Sequence, residues 1–254
     1  SAKVQPPADA RIWDGAGRTV YAGLIESYAH VGLPDADAQR ARSGSHWNHY
    51  VHAELRAADL YTPDEEQLQE LRKLGFTAAL IVPDLGLIHG TSALVSLSGG
   101  SSSRAMLREQ VAQHIALKRS GLGWGVPPEK VRFPASLMGS VALIRQSFLD
   151  ARWYRLARQA TADSPEQLGP EVNRALQALG GAAHGELPVV IEAANDQMEL
   201  RALGLLQEFD LDLMLRGSGQ EYRQLDILEQ SGTPIILPVN FPDAPHVADP
   251  EDAE

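Results

Sequence analysis

Val20-Tyr21-Ala22-Gly23-Leu24-Ile25-Glu26-Ser27-Tyr28-Ala29-His30 runs from an apolar start to a polar, histidine-bearing end. Apolar and β-branched residues at its start predict a buried strand, and the strand ends on a histidine. Just upstream, Arg11-Ile12-Trp13 followed by Asp14-Gly15-Ala16-Gly17 reads as a strand end and a turn. Just downstream, residues 31–60 read as irregular and rich in histidine. Thr62-Pro63-Asp64-Glu65 then opens a helix: Thr62 can cap it, Pro63 suits the first turn and Glu65 can complete a capping box. Leu68, Leu71 and Leu74 mark one face, Gly75 closes the helix, and 76–83 is a buried strand. Helix, glycine, buried strand is the rhythm of parallel α/β folds.

The rest of the chain continues in that rhythm. Residues 94–97 predict a short strand and 99–103 a flexible loop. A helix is expected over 104–119, with Leu107, Val111, His114 and Ile115 on one side. Residues 121–134 are a connection rich in glycine and proline. Leu137, Val141, Ile144 and Phe148 mark a long helix over about 136–160, and another helix covers about 171–179. Three units follow: a strand at 187–193 with a helix over 196–208, a strand at 211–215 with a helix over 220–230, and a strand at 233–240. The expected fold class is α/β, a partial (β/α) TIM-barrel-like fold of mostly parallel strands alternating with helices. Five or six strands fall short of the eight of a closed barrel. The expected edge is therefore covered by a helix or paired in a homo-oligomer.

Composition narrows the function classes. Among 254 residues, 33 acidic against 22 basic side chains leave a net charge of −11, which argues against a phosphate-binding surface and so against nucleic acid. The chain has no cysteine, which excludes disulfides, thiolate ligands and cysteine nucleophiles. It has no apolar run long enough to span a bilayer, so a soluble protein is expected; the choice between cytoplasm and periplasm stays open.

The order and spacing of several segments resemble the amidohydrolase superfamily, in particular its imidazolonepropionase-related branch. They are 14–25 at the lead-in to the first barrel strand, Val51-His52-Ala53-Glu54-Leu55-Arg56-Ala57-Ala58-Asp59, Gly75-Phe76-Thr77, Ile88-His89-Gly90, Met138-Gly139-Ser140-Val141-Ala142-Leu143-Ile144-Arg145, and Glu208-Phe209-Asp210-Leu211. The resemblance implies a β/α barrel with a small β-domain. It divides the chain into a remnant of that small domain with its lead-in strand (1–19), a partial barrel (20–242) and an acidic flexible tail (243–254). It also implies that later barrel strands lie beyond Glu254, so that the chain is the front part of a longer protein.

The family hydrolyses amide or related C–N bonds with one or two divalent metals, held at the carboxyl ends of strands, that lower the pKa of a bound water. In the matching stretch the family has proline-glycine-leucine-(iso)leucine-aspartate-X-histidine-X-histidine. Here Ala22 stands for the proline, Glu26 for the aspartate and Tyr28 for the first histidine, while His30 retains the second. Glu192 and Arg216 replace histidines of two later strands. A guanidinium stays charged, cannot ligate a metal and repels one. Arg216 is instead expected to pair with Glu192, with Tyr28 hydrogen-bonding into the same place. The pocket candidates are thus Tyr28, His30, Glu192, Arg216 and Ser218. No metal or other cofactor is expected in this segment; the alternative is zinc or another divalent metal on His30 and Glu192, the two candidate catalytic residues.

Other signals are weaker. His46, His49 and His52, three residues apart, either line one side of a helical turn as a metal or substrate loop, or sit on an exposed loop with aromatic anchors. Gly121-Leu122-Gly123-Trp124-Gly125 lacks the strand-then-helix context of a nucleotide fingerprint. Residues 99–103 lack a phosphate-loop lysine. His114 reads as a packed histidine, and Ser218 lacks a nucleophile elbow. The expected function is an amidohydrolase-like, non-catalytic barrel segment of a larger hydrolase, partnered by the remainder of a longer polypeptide or by a second copy. The alternative is an active amidohydrolase with an altered mononuclear site.

Overall fold

The computed structural model describes residues 7–118, 133–164, 166 and 168–239. The connection at 121–125, the tail 243–254 and the end of the strand expected at 233–240 lie outside the described residues.

Nine strands and eight helices follow in chain order: β1 (Leu24–Ala29), α1 (Ala36–Ala41), α2 (Ala57–Leu60), α3 (Glu65–Lys73), β2 (Phe76–Ile81), β3 (Ile88–Thr91), β4 (Ala93–Ser96), α4 (Ser102–Ala105), β5 (Met106–Arg108), β6 (Gln113–Leu117), α5 (Leu137–Asp163), α6 (Arg174–Ala183), β7 (Val189–Ala193), α7 (Asp196–Phe209), β8 (Leu213–Arg216), α8 (Leu225–Ser231) and β9 (Ile235–Ile236) among the described residues. A 3-10 turn, Glu221–Arg223, precedes α8. One sheet has the order β1-β2-β4-β5 and the other β3-β6-β7-β8-β9. The β1–β2, β6–β7, β7–β8 and β8–β9 ladders are parallel; β2–β4, β4–β5 and β3–β6 are antiparallel. The result is a mixed α/β, partial barrel-like fold.

The core explains the long helices. β7 carries Val189, Val190 and Ile191, all buried, because parallel neighbours flank it and helices cover it. Helix α5 buries Ser140, Leu143, Ile144, Ser147, Phe148, Ala151 and Tyr154, a stripe at three- and four-residue spacing. Ser136 caps it by accepting from the Gly139 amide. Phe148 meets Phe209 of α7 at 5.2 Å, and Arg152 lies over Phe209 while donating to the carbonyls of Ala183 and Phe209. A second apolar cluster joins Leu68 of α3 to Ala79 and Ile81 of β2 and Val95 of β4.

Several expectations are corrected. The helix over 104–119 is α4, β5 and β6 instead. All five residues of β6 are buried, and a short run buried on both faces has no period that separates strand from helix. The first strand is an edge, not a buried element: of its six residues only Ala29 is buried, and Leu24 and Ile25 are exposed. Helix α3 is capped by Asp64, which accepts from the amides of Glu66 and Gln67, so Thr62 and Pro63 precede the cap. Residues 31–60 contain α1 and α2. Strand β3 is one for which no strand was expected: Gly90, at φ 105°, lies at the register shift of the β3–β6 ladder, where its backbone comes close to the Leu55 carbonyl.

Candidate active site

Four of the five pocket candidates meet where strands end. Glu192 and Arg216 are register partners on the parallel β7 and β8, so their side chains leave the sheet on the same face. Arg216 Nη1 donates to Glu192 Oε1 at 2.7 Å, with about a third of each side chain exposed. Tyr28, at the end of β1, donates its hydroxyl to the other oxygen, Oε2, at 3.0 Å. The Arg216 guanidinium carbon lies 4.1 Å from the centre of the Tyr28 ring. Each group thus touches the other two. Burial, then the charge and hydrogen bond of Glu192, push the Tyr28 phenol well above its ordinary value, so it remains a neutral donor.

His30 is exposed, and its ring meets that of Tyr28 edge-on at 5.4 Å. Its Nδ1 donates to the Val82 carbonyl at 2.7 Å; a carbonyl only accepts, so in the neutral ring Nε2 carries the lone pair.

Two buried histidines that sequence reasoning did not assign to the site lie beneath. His114 of β6 packs edge-on against Tyr28 at 5.6 Å, and both its ring nitrogens are buried without a partner among the described residues. His89 of β3 donates Nε2 to the Gly86 carbonyl at 3.2 Å, and its buried Nδ1 has no partner among the described residues. Burial, chiefly, lowers His89 to about 4 and His114 to about 3; Lys118 adds to the first effect, and His89, His30 and Arg216 to the second. Asp84 lies 3.5 Å from Lys118 and 4.0 Å from His89. Burial would raise its carboxyl, but Lys118 and the two histidines His89 and His30 hold it below the usual value. The signal that could have found the pair is a histidine inside a short apolar run, Leu87-Ile88-His89 and His114-Ile115.

Ser218 belongs to a different cluster. Its hydroxyl donates at 2.9 Å to Oε1 of Glu199, a fully buried carboxyl of α7. Burial, with Glu221 nearby, raises Glu199 although Ser218 opposes the shift. Glu221 itself accepts from the Gly219 amide at 2.9 Å.

The histidine loop is neither helical nor uniformly exposed. His46 and His52 are buried while His49 is exposed. His46 Nδ1 accepts from the Asn48 amide at 3.0 Å, and the Asn48 side chain donates to the Phe133 carbonyl. His52 Nδ1 meets Ser43 Oγ at 2.6 Å; Ser43 also donates to Glu54, which the Gly44 and Ser45 amides reach too. Burial lowers His52 to about 4. These side chains pin the segment to its neighbours rather than converge on one point.

A cleft of about 450 Å³ opens beside the Tyr28 cluster, with residues 25–31 on one wall and Arg216 with 236–239 on the other. Among the described residues no three His, Asp or Glu side chains come together as a set able to hold a metal ion. Both oxygens of Glu192 are engaged, and a guanidinium stands where a cation would approach. A divalent ion about 4 Å from Arg216 would meet a repulsion of roughly 8 kcal/mol at an effective dielectric of 20. The residues present therefore do not fit the metal that amidohydrolases use.

No family model matches the chain. No curated protein matches it either. Its fold is similar to the crystal structure of an amidohydrolase from Thermotoga maritima MSB8, with a TM-score of 0.73 and 18% sequence identity, over 94% of this chain and 62% of that one. At that identity the likeness is one of fold, and the chain spans less than two thirds of the other protein's length.

Proposed function

We propose that this chain is an amidohydrolase-like barrel segment of a larger hydrolase acting on C–N bonds, and that its own strand-end site is non-catalytic. The reading joins the sequence resemblance, with its imidazolonepropionase-related branch, to the shared fold. One observation carries it: the two oxygens of Glu192 are taken by Tyr28 and Arg216, so a charge-assisted bridge stands in the place of metal–ligand bonds. In this reading residues 1–19 are the remnant of a small β-domain, 20–242 the partial barrel and 243–254 a tail. Zinc or manganese added to the purified protein is expected to leave the melting temperature unchanged. A metal-dependent rise of several degrees, with stoichiometric metal after dialysis, would overturn the reading.

A second reading keeps an active, mononuclear site on His30 and Glu192. It is favoured by His30, whose bond to Val82 leaves Nε2 as the acceptor nitrogen, an orientation common among ligating histidines. Hydrolysis of cyclic amides or dipeptides that disappears in both His30→Ala and Glu192→Gln would select this reading.

A further inference from the structure

We infer that the outer face of α5 is a self-association surface, on which a second copy of this chain packs its own α5 antiparallel about a twofold axis at Leu149. The inference is independent of the hydrolase reading and of any metal. Helix α5 carries two apolar faces. Leu143, Ile144, Phe148, Ala151 and Tyr154 fill the core. On the opposite side Met138, Ala142, Leu149, Trp153 and Leu156 fall within an arc of about 60° at helical spacing. The four large side chains of that stripe are between 51% and 83% exposed.

A helix lying on a core needs one such stripe, not two. On side chains of roughly 150–250 Å² each, these fractions leave on the order of 500 Å² of apolar surface per copy. That is near the upper end of what a monomer exposes in one patch, and two copies would bury about 1,000 Å², the size at which specific interfaces begin.

The occupant follows from the order of residues along the stripe. An antiparallel pair centred on Leu149 sets Met138 against Ala160, Ala142 against Leu156 and Arg145 against Trp153. Small residues thus face large ones, as the packing of ridges into grooves requires. Arg145, the charged member of the stripe, faces an indole, a pairing that a guanidinium favours. A parallel pair would set Trp153 on Trp153 and Arg145 on Arg145, crowding the one and opposing like charges in the other. The surface beside Arg145 is also hollow: a cleft of about 550 Å³ between α5 and α7 is lined by Ala142, Arg145, Gln146, Leu149 and Gly204 among others. In the antiparallel register the partner's Trp153 enters it. The same chain therefore presents both the projecting ring and the hollow that receives it, which is the self-complementarity of a twofold interface.

The test uses the full chain. Sedimentation at up to about 100 μM is expected to show a dimer, and Leu149→Lys with Leu156→Lys should raise its dissociation constant at least about a hundredfold. Leu225→Lys, at an exposed apolar site of α8, should leave it unchanged. The chain has no cysteine, so introduced cysteines read the register directly. Under mild oxidation Leu149→Cys should crosslink two copies, and so should Ala142→Cys combined with Leu156→Cys. Ala142→Cys alone, Leu156→Cys alone and Leu225→Cys should not, because a disulfide cannot span separations beyond about 7 Å between Cα atoms. The cysteine variants add no charge, so they decide the matter even where the lysine pair unfolds. The inference is overturned by a wild-type chain that stays monomeric, or by a dimer that survives Leu149→Lys with Leu156→Lys. It is equally overturned if Leu156→Cys alone or Leu225→Cys crosslinks as well as Leu149→Cys, which would mean another register or another face. A metal-dependent rise in melting temperature would sink the non-catalytic reading and leave these outcomes where they are.

Discussion

Replacing Arg216 by methionine removes the guanidinium while keeping a long apolar stem, and so isolates the charge. The side chains of Arg216 and Glu192 are 30% and 34% exposed, which places the pair between two regimes. Exposed ion pairs contribute about 0–1 kcal/mol, and breaking a buried pair costs about 3–5 kcal/mol because the remaining charge is stranded. Glu192 would keep the Tyr28 hydroxyl, which limits the penalty, but the Arg216–Tyr28 stacking would go with it, a further contribution of about 0.5–1 kcal/mol. Arg216→Met is therefore expected to cost about 2–3 kcal/mol. For a chain of this length that is a fall of roughly 4–12 °C in melting temperature. Urea unfolding of the wild type, Arg216→Met, Glu192→Gln and the double variant closes a cycle, with an expected coupling of about 1–2 kcal/mol. A coupling within about 0.3 kcal/mol of zero, the level at which independent sites add, would refute the argument that the pair locks the strand ends.

Three further outcomes follow from buried groups around the site. His89 and His114 are held at about 4 and about 3, below the 6.5 of an unfolded histidine, so the unfolded state binds more protons as pH falls below 6.5. Stability present above that pH is lost between about 6.5 and 3, with a limiting slope of about 2.7 kcal/mol per pH unit for two groups; His114→Leu should reduce the slope, and an unchanged profile by chemical denaturation would contradict the assignment. Glu199 is raised, so its contribution is full below 4.5 and is lost as pH rises through the folded value. Glu199→Gln, which mimics the protonated carboxyl beside Ser218, should gain about 1 kcal/mol over wild type at pH 8 and little at pH 4.5, and a gain independent of pH would show that the carboxyl does not titrate there. At Gly90 an added Cβ would lie 2.3 Å from the Leu55 carbonyl oxygen at φ 105°, so Gly90→Ala should cost at least about 2 kcal/mol by thermal unfolding.

The parallel half of the fold was legible because its signals are local and agree. The apolar Val189-Val190-Ile191 run marks β7, and the structure adds that Asn195 caps α7 and that Asp210, at φ 50°, ends it. Three short strands were not legible. β3, β5 and β6 have three to five residues each, and β6 is buried on both faces, so neither alternation nor helical period appears in them. Edge exposure of β1 was hidden for another reason: Leu24 and Ile25 read as core because apolar character reports a need for burial and not whether a neighbour meets it. At the site, Tyr28, Glu192 and Arg216 are readable as polar residues at the ends of apolar strands. His89 and His114 carry only the weak signal of a histidine inside a short apolar run, and their full burial is a property of packing.

The same geometry explains why the two strand ends meet as they do. Glu192 and Arg216 are held side by side by the β7–β8 register, which the backbone and the apolar residues Val189, Ile191, Leu213 and Leu215 enforce. Whatever stands at the two strand ends is brought together at no extra ordering penalty. Two imidazoles there would converge as ligands; a carboxylate and a guanidinium converge as an ion pair. Tyr28 arrives from β1, across the cleft, and its bond to Glu192 ties the open edge of one sheet to a central strand of the other. The cluster consequently bridges the two sheets at β1, which among the described residues pairs only with β2. The Arg216–Glu192 coupling measures how strongly this bridge holds the strand ends together.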